Sequence, residues 1–270
     1  ILTEKPIVCS IDELKNLNLK IVKHSSKGLK TRFVHNYSGY PMFREMVYLV
    51  RSSLLGNIHH LKVYMPSDGF ARESITGRPQ LWRQIDPPIP MIMLDLGTHM
   101  YHLMRMLIGK ESSRVLARMH SKVNSMNVVD NVEIWEERND DISISYWMSK
   151  AHLGVKNGLT IEAYGNKGAL IWNQMDPDHL IKVDETSQRI RVDRSLINIK
   201  SSKRDRFKAG HPTGFIEAFS NFYCDLYDDL TYQDNQLKNE WISDFSEASD
   251  GIAFLEASVK SFQQEKWITL

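Results

Sequence analysis

The chain has 270 residues, 42% of them hydrophobic and 25% charged, which suits a soluble globular protein of one large domain or two smaller ones. Its formal charge of +1 gives no electrostatic case for nucleic acid or an anionic membrane surface as a partner. No apolar run reaches membrane-spanning length, and the two cysteines, Cys9 and Cys224, exclude a disulfide framework and point to a reducing, cytoplasmic compartment.

Residues 1–3 read as the end of a strand running into Glu4-Lys5-Pro6. Ser10 with Glu13 three residues on predicts a short capped helix. A strand is predicted over 30–35, ending at Asn36-Tyr37. Apolar spacing predicts a helix over 42–55, closed by Gly56. Residues 58–64 alternate as a strand should. A proline-rich, irregular stretch over 82–90 feeds a helix over 95–107, which stops at Gly109.

The second half changes character. Strands are predicted over 115–122, 131–137, 142–148 and 159–164, with a tight turn at Gly165-Asn166-Lys167-Gly168 into 169–172. Strands over 180–183 and 189–192 follow. Two amphipathic helices close the chain, 211–230 with the stripe Phe215, Ala218, Phe219, Phe222 and Leu226, and 243–264. The expected class is α+β, a broad and mostly antiparallel open sheet with helices on one face.

The chemistry-bearing stretch is Asp95-Leu96-Gly97-Thr98-His99. On a helix, residues four apart share one face. A carboxylate beside an imidazole sets its tautomer and stabilises its protonated form, as a general acid/base requires. His59-His60 and His99/His102 invite a metal reading, but no matching Cys or carboxylate set completes a site. The basic run over 200–208 is interrupted by Asp205 and reads as a mobile surface loop.

In this order and spacing the motifs resemble the Gfo/Idh/MocA family of NAD(P)-dependent oxidoreductases, over essentially the whole chain. Glu4-Lys5-Pro6 resembles the family's E-K-P motif, Asn36-Tyr37 its N-Y segment, and Trp82-Arg83 its W-R pair. Asp95 to His99 resembles the D-x-G-x-H helix. Val129-Asp130, the run Gly154 to Gly158 and Tyr164 to Gly168 resemble successive sheet landmarks, and Gly210 to Phe219 resembles the opening of the penultimate helix in the sugar and cyclitol branch.

The resemblance implies a catalytic set of Lys5, Asp95 and His99. His99 is then the general base, Asp95 orients and charge-stabilises it, and Lys5 donates a hydrogen bond as oxyanion character develops. Glu4, Lys5, Pro6, Asn36, Trp82 and Arg83 are implied at the cofactor, NAD or NADP, with Arg83 the one suited to a phosphate. Trp82 reads equally as a packing anchor, and His211 either caps the helix after it or lines the substrate pocket. A sugar- or cyclitol-like small molecule is the implied partner, with a homo-oligomer formed through the open sheet.

Two departures accompany the match. No two glycines are separated by a single residue, so the G-x-G turn of a dinucleotide-binding domain is missing. The resemblance therefore implies that roughly 100 residues of that domain are absent ahead of Ile1. Residues 1–40 are then its tail, and 41–270 the substrate and oligomerisation domain. The second departure is bulk: Asp86 to Met93 is stiff and proline-rich where the family carries small, Gly-rich sequence. The expectation is a fragment of a sugar or cyclitol dehydrogenase, inactive as this chain alone. A non-catalytic ligand-binding or oligomerisation protein derived from the family is the alternative.

Overall fold

The computed structural model describes residues 1–25, 29–72, 77, 79–109, 112–123, 127–139, 141–198, 201–231 and 239–270. Strand β1 (Leu2–Glu4) pairs in parallel with β2 (Arg32–Val34), and α1 (Ile11–Ser25) crosses between them. The predicted cap of α1 is built: Ser10 Oγ accepts from the Glu13 N–H, and the Glu13 carboxylate accepts from the Cys9 N–H. After β2 comes a single 3₁₀ turn, Asn36–Gly39, and then α2 (Pro41–Arg51).

The large sheet has nine strands. In chain order they are β3 (Ile58–Pro66), β4 (Ser112–His120), β5 (Asn131–Arg138), β6 (Ser143–Ser149), β7 (Thr160–Gly165), β8 (Gly168–Asn173), β9 (His179–Asp184), β10 (Arg189–Asp193) and β11 (Ile268–Thr269). Across the sheet the order is β10-β9-β8-β7-β3-β6-β5-β4-β11. Every neighbouring pair is antiparallel except β3 with β6, which run parallel. The chain leaves β3, forms α3 (Thr98–Ile108), β4 and β5, and only then returns beside β3 as β6. That crossover brings α3 over the centre of the sheet.

Period-two alternation decides which face is covered. In β3, Leu61 and Val63 are buried while Lys62 is exposed, and in β5, Val132 and Ile134 are buried while Glu133 and Trp135 are exposed. The buried face packs under α2, α3 and α5 (Phe245–Gln264) in one apolar core that includes Phe43, Met46, Met104, Tyr146, Trp172 and Phe254. Helix α4 (Phe215–Thr231) packs on the Asn36–Gly39 turn. A Cβ on Gly39 would stand 2.0 Å from the Ala218 carbonyl oxygen, so glycine is required for this approach. Asn221 Nδ2 donates to the Gly39 carbonyl at 2.8 Å across the same contact.

The α+β class, the strand set and the helical cover agree with the sequence reading. Several boundaries differ for local reasons. The helix expected over 42–55 stops at Arg51, because Ser52 Oγ takes the Leu49 carbonyl and Ser53 turns to φ 60°. The closing helices start at Phe215 and Phe245, the latter at a capping box formed by Asp244 and Glu247. Phe215, assigned to the apolar stripe of α4, is about half exposed. β11 is too short to carry a periodic signal. Of the basic run over 200–208, Lys200 lies outside the described residues. The rest is no loose loop: Arg204 donates to Asp225 at 2.9 Å, and Lys203 meets Asp228 at 3.1 Å.

One buried ion pair joins α2 to α4. Arg44, only 4% exposed, donates to Asp225 Oδ2 at 2.5 Å and to the Ser38 carbonyl at 2.8 Å, with its guanidinium 4.4 Å over the Trp241 ring. Removing the carboxylate leaves a buried cation without its partner. Asp225→Asn is expected to cost about 3–5 kcal/mol in urea unfolding; a loss under about 1 kcal/mol would show that water already reaches the pair.

Candidate active site

The D-x-G-x-H stretch opens its helix with a π turn. Met93–Gly97 is π-helical, the Thr98 N–H bonds back to the Met93 carbonyl, and α3 follows from Thr98. Single turns of this kind are frequent at functional sites. The stiff segment ahead of it is anchored by Asp86, whose carboxylate accepts from the N–H groups of Met91 (2.9 Å) and Val129 (2.7 Å). This fixes where the turn presents Asp95.

Three cations converge on the Asp95 carboxylate. Lys5, directly after β1, donates to Oδ1 at 3.1 Å and to the Asp95 backbone carbonyl at 2.5 Å. Lys150, directly after β6, donates to Oδ2 at 2.6 Å, and Arg83, in the short 3₁₀ turn Leu81–Arg83, reaches Oδ2 at 3.3 Å. Burial pushes the pKa of this carboxyl up, but Lys150, Lys5 and Arg83 outweigh it and hold the group well below the usual carboxylate range. Burial in turn lowers the Lys150 ammonium, and Asp95 opposes that drop.

His99 sits beside this cluster rather than on it. Both Asp95 oxygens are engaged by cations, and the buried Nδ1 of His99 has no hydrogen-bond partner. Its ring lies edge-on to Tyr37 at 4.7 Å and to His35 at 5.5 Å, and His35 stacks on His102 at 4.2 Å. Burial first, then the nearby Lys5, push His99 well below its ordinary value, while Asp95 pulls the other way. Asp95 was expected to orient and charge-stabilise His99; with Nδ1 unpartnered, its effect on the ring acts through space, and the imidazole is neutral.

A cleft of about 350 Å³ opens over Asp95, Arg83 and Lys150, with Met65, Phe70, Pro79 and Leu96 as apolar wall and Asn157 at its edge. Asn157 bonds the Tyr37 hydroxyl and Gln174, which links the cleft to the ring packed on His99. Of the residues anticipated from sequence, the structure brings Lys5, Arg83, Asp95 and His99 into one neighbourhood. Pro6 follows Lys5 through a cis peptide bond, and Glu4 is exposed at the end of β1. Asn36 is buried after β2, with its Nδ2 unpartnered.

Trp82 is 46% exposed with the Arg83 guanidinium 4.2 Å over its ring, so it is no packing anchor. His211 does not cap a helix. It lies on the surface four residues before α4, and its backbone bonds Lys208 and Arg194. Lys150, His35 and Tyr37 were not singled out as site residues. Lys150 carries no sequence signal, since a lysine at a strand end ordinarily reads as solvated.

Residues 48–270 match the model of the oxidoreductase family C-terminal alpha/beta domain, Gfo/Idh/MocA. The chain belongs to this family. Among Gfo/Idh/MocA relatives, it is 24% identical over 279 residues to YfiI, an uncharacterized oxidoreductase of Bacillus subtilis strain 168, across 98% of this chain and 70% of that one. An inositol dehydrogenase homolog from Azotobacter vinelandii, complexed with NADH and myo-inositol, superposes with a TM-score of 0.85 at 20% identity. That match covers 100% of this chain and 71% of the other. A levoglucosan dehydrogenase complexed with NADH and levoglucosan superposes at 0.83 with 18% identity, over 100% and 73%. The chain thus shares the Gfo/Idh/MocA fold and spans about 70% of such relatives' length.

The buried histidines make stability depend on pH. Burial depresses His99 and His35 in the folded state, whereas the unfolded chain protonates each near the ordinary value of about 6.5. Below that value the unfolded state binds more protons, so stability is full above it and is lost as pH falls. Between pH 7.5 and 5 the unfolding free energy is expected to fall, by up to about 1.4 kcal/mol per pH unit for each such histidine. His35→Phe should make that slope shallower; an unchanged slope in urea titrations would mean that His35 is protonated in the folded protein.

Proposed function

We propose that this site serves an NAD(P)-dependent oxidoreductase that moves a hydride between a secondary alcohol of a sugar or cyclitol and the nicotinamide. The observation that carries the reading is the meeting of Lys5, beside a neutral, buried His99, with Asp95, which lines an open cleft. Lys5 and Asn36 follow the carboxyl ends of two parallel strands, the place where open α/β sheets bind ligands. The unpartnered Nδ2 of Asn36 and Nδ1 of His35 at that edge fit the polar end of a nicotinamide nucleotide. No G-x-G turn in these 270 residues fits its pyrophosphate. The residues present therefore suit the reacting end of the cofactor and not its phosphates.

When bound, the nicotinamide supplies the hydride acceptor. The protein's part is positioning and proton transfer. An alcohol losing hydride from carbon must also lose its hydroxyl proton, and neutral His99 is in the state that accepts one. The Lys5 ammonium, held by Asp95, stabilises negative charge building on the alcohol oxygen. Asp95 keeps Lys5 aimed, and favours the imidazolium as it forms. The apolar wall of Met65, Phe70 and Leu96 keeps the local dielectric low, which strengthens each of these effects.

Residues 1–270 as a separate polypeptide are expected to produce no NADH or NADPH from polyols. Joined behind a nucleotide domain that carries the G-x-G turn, they should turn over a sugar or cyclitol. In that fusion, Lys5→Met and His99→Asn should each lower kcat at least about a hundredfold, with KM moving much less. Steady-state absorbance at the reduced-nicotinamide band measures this. Full activity of His99→Asn would sink the acid/base assignment, and a folded fusion that is inert toward every polyol would favour the non-catalytic alternative.

A further inference from the structure

The balance of charge and hydrogen bonding in the cleft goes beyond what a neutral polyol needs. A hydroxyl both donates and accepts, so a pocket for neutral sugars has to offer free acceptors as well as donors. Among the described residues Asp95 is the acidic side chain lining the cleft, and its two oxygens already receive Lys5, Arg83 and Lys150. The neighbouring Asp68 turns to Arg72 at 3.4 Å instead. Asn157 donates to the Tyr37 hydroxyl and to Gln174 and accepts from Tyr37 at 3.5 Å, and the Ser67 hydroxyl donates to the Ser149 carbonyl. Among the described residues the cleft therefore offers one anionic acceptor, already clamped by cations.

Donors are in excess. Lys150, with its side chain 9% exposed, makes one bond to Asp95, and its ammonium stands 5.6 Å over the Phe70 ring. The buried Nε of Arg83 has no partner, while its two amino groups reach Gln80 and Asp95. Three cations stand against one carboxylate, and the wall around them is Met65, Phe70, Pro79 and Leu96. In such a low-dielectric cleft an unbalanced positive charge is worth far more to an incoming anion than it is on an open surface.

We propose that the substrate of this site is an anionic sugar derivative, with Lys150 and Arg83 as the residues that recognise its acidic group. The inference rests on the reading of the cleft as a substrate site. A carboxylate or phosphate placed there restores charge balance and takes up the spare donors, Arg83 through its planar fork and Lys150 as a point charge. Lys5, on the other oxygen of Asp95, stays with the alcohol to be oxidised. This arrangement separates a recognising end, on Oδ2 of Asp95, from a reacting end on Oδ1.

Isothermal titration calorimetry on residues 1–270 tests this without any cofactor. The probes are D-glucuronate, glucose 6-phosphate, glucose and myo-inositol, at roughly 50 mM and roughly 500 mM NaCl. The expected result is that glucuronate, glucose 6-phosphate or both bind at least about tenfold more tightly than the neutral sugars at low salt, with the margin shrinking at high salt. Which anion binds better identifies the acidic group. Lys150→Met should weaken the anion about tenfold or more and leave neutral-sugar binding within about threefold, whereas Lys150→Arg should keep the preference. Arg83→Met, at a more exposed side chain, gives the same test should Lys150→Met fail to fold. Neutral sugars binding as tightly as the anions, or anion binding indifferent to both methionine variants, overturns the inference and leaves the substrate-site reading intact. If no sugar of either kind binds, both fall together.

Discussion

The carboxylate of Asp95 is the point on which the rest of the site depends, because it joins parts of the chain that share little else. Lys5 comes from the end of β1, Arg83 from an exposed turn, Lys150 from the end of β6, and Asp95 itself from a π turn ahead of α3. Without the carboxylate, three cations would face one another with a largely apolar wall behind them, an arrangement that costs several kcal/mol. With it, each cation has one fixed direction. The same contact carries the cost of burying Asp95, whose carboxyl stays ionised because the cations outweigh its burial.

The frame around this hub explains why it can be rigid. Helix α3 lies on the centre of the nine-stranded sheet because the chain crosses from β3 through α3, β4 and β5 before returning as β6. Helices α2 and α4 are tied by the buried Arg44–Asp225 pair and by the close approach that Gly39 permits. The turn that carries Asn36 and Tyr37 is held between them. Tyr37 then presses on His99 and bonds Asn157, so the neutral imidazole and the cleft edge are set by the same side chain. Burial does the electrostatic work at His99, and Asp95 modulates it from a distance.

Much of the fold and the skeleton of the site were legible in the residues. Strand alternation in β3 and β5 and the turn at Gly165 to Gly168 located the sheet, since half-buried strands leave a period-two signal. Glu4-Lys5-Pro6 and Asp95 to His99 located the two halves of the candidate cluster, and their contact follows in the structure. What stayed hidden was hidden for physical reasons. A π turn leaves no mark in the sequence that separates it from an α turn, so Asp95 and His99 read as sharing one helix face, although the cations claim the carboxylate. Lys150 is one strand-end lysine among many, and only tertiary packing makes it a buried donor. Trp82 read equally as a cofactor contact and as a packing anchor, because large aromatics serve both, yet its ring serves as a platform for Arg83 at the surface.

The central claim is that Asp95 remains a carboxylate because three cations clamp it. Its most direct test is an NMR titration of the Asp95 side-chain carboxyl carbon, assigned by comparison with Asp95→Asn. The account predicts that this signal stays at its ionised position as pH falls from about 8 to about 3, through the range where an ordinary aspartate protonates near 3.9. A midpoint at or above the ordinary value would contradict it, and would mean that Lys5, Arg83 and Lys150 do not hold the carboxylate in solution.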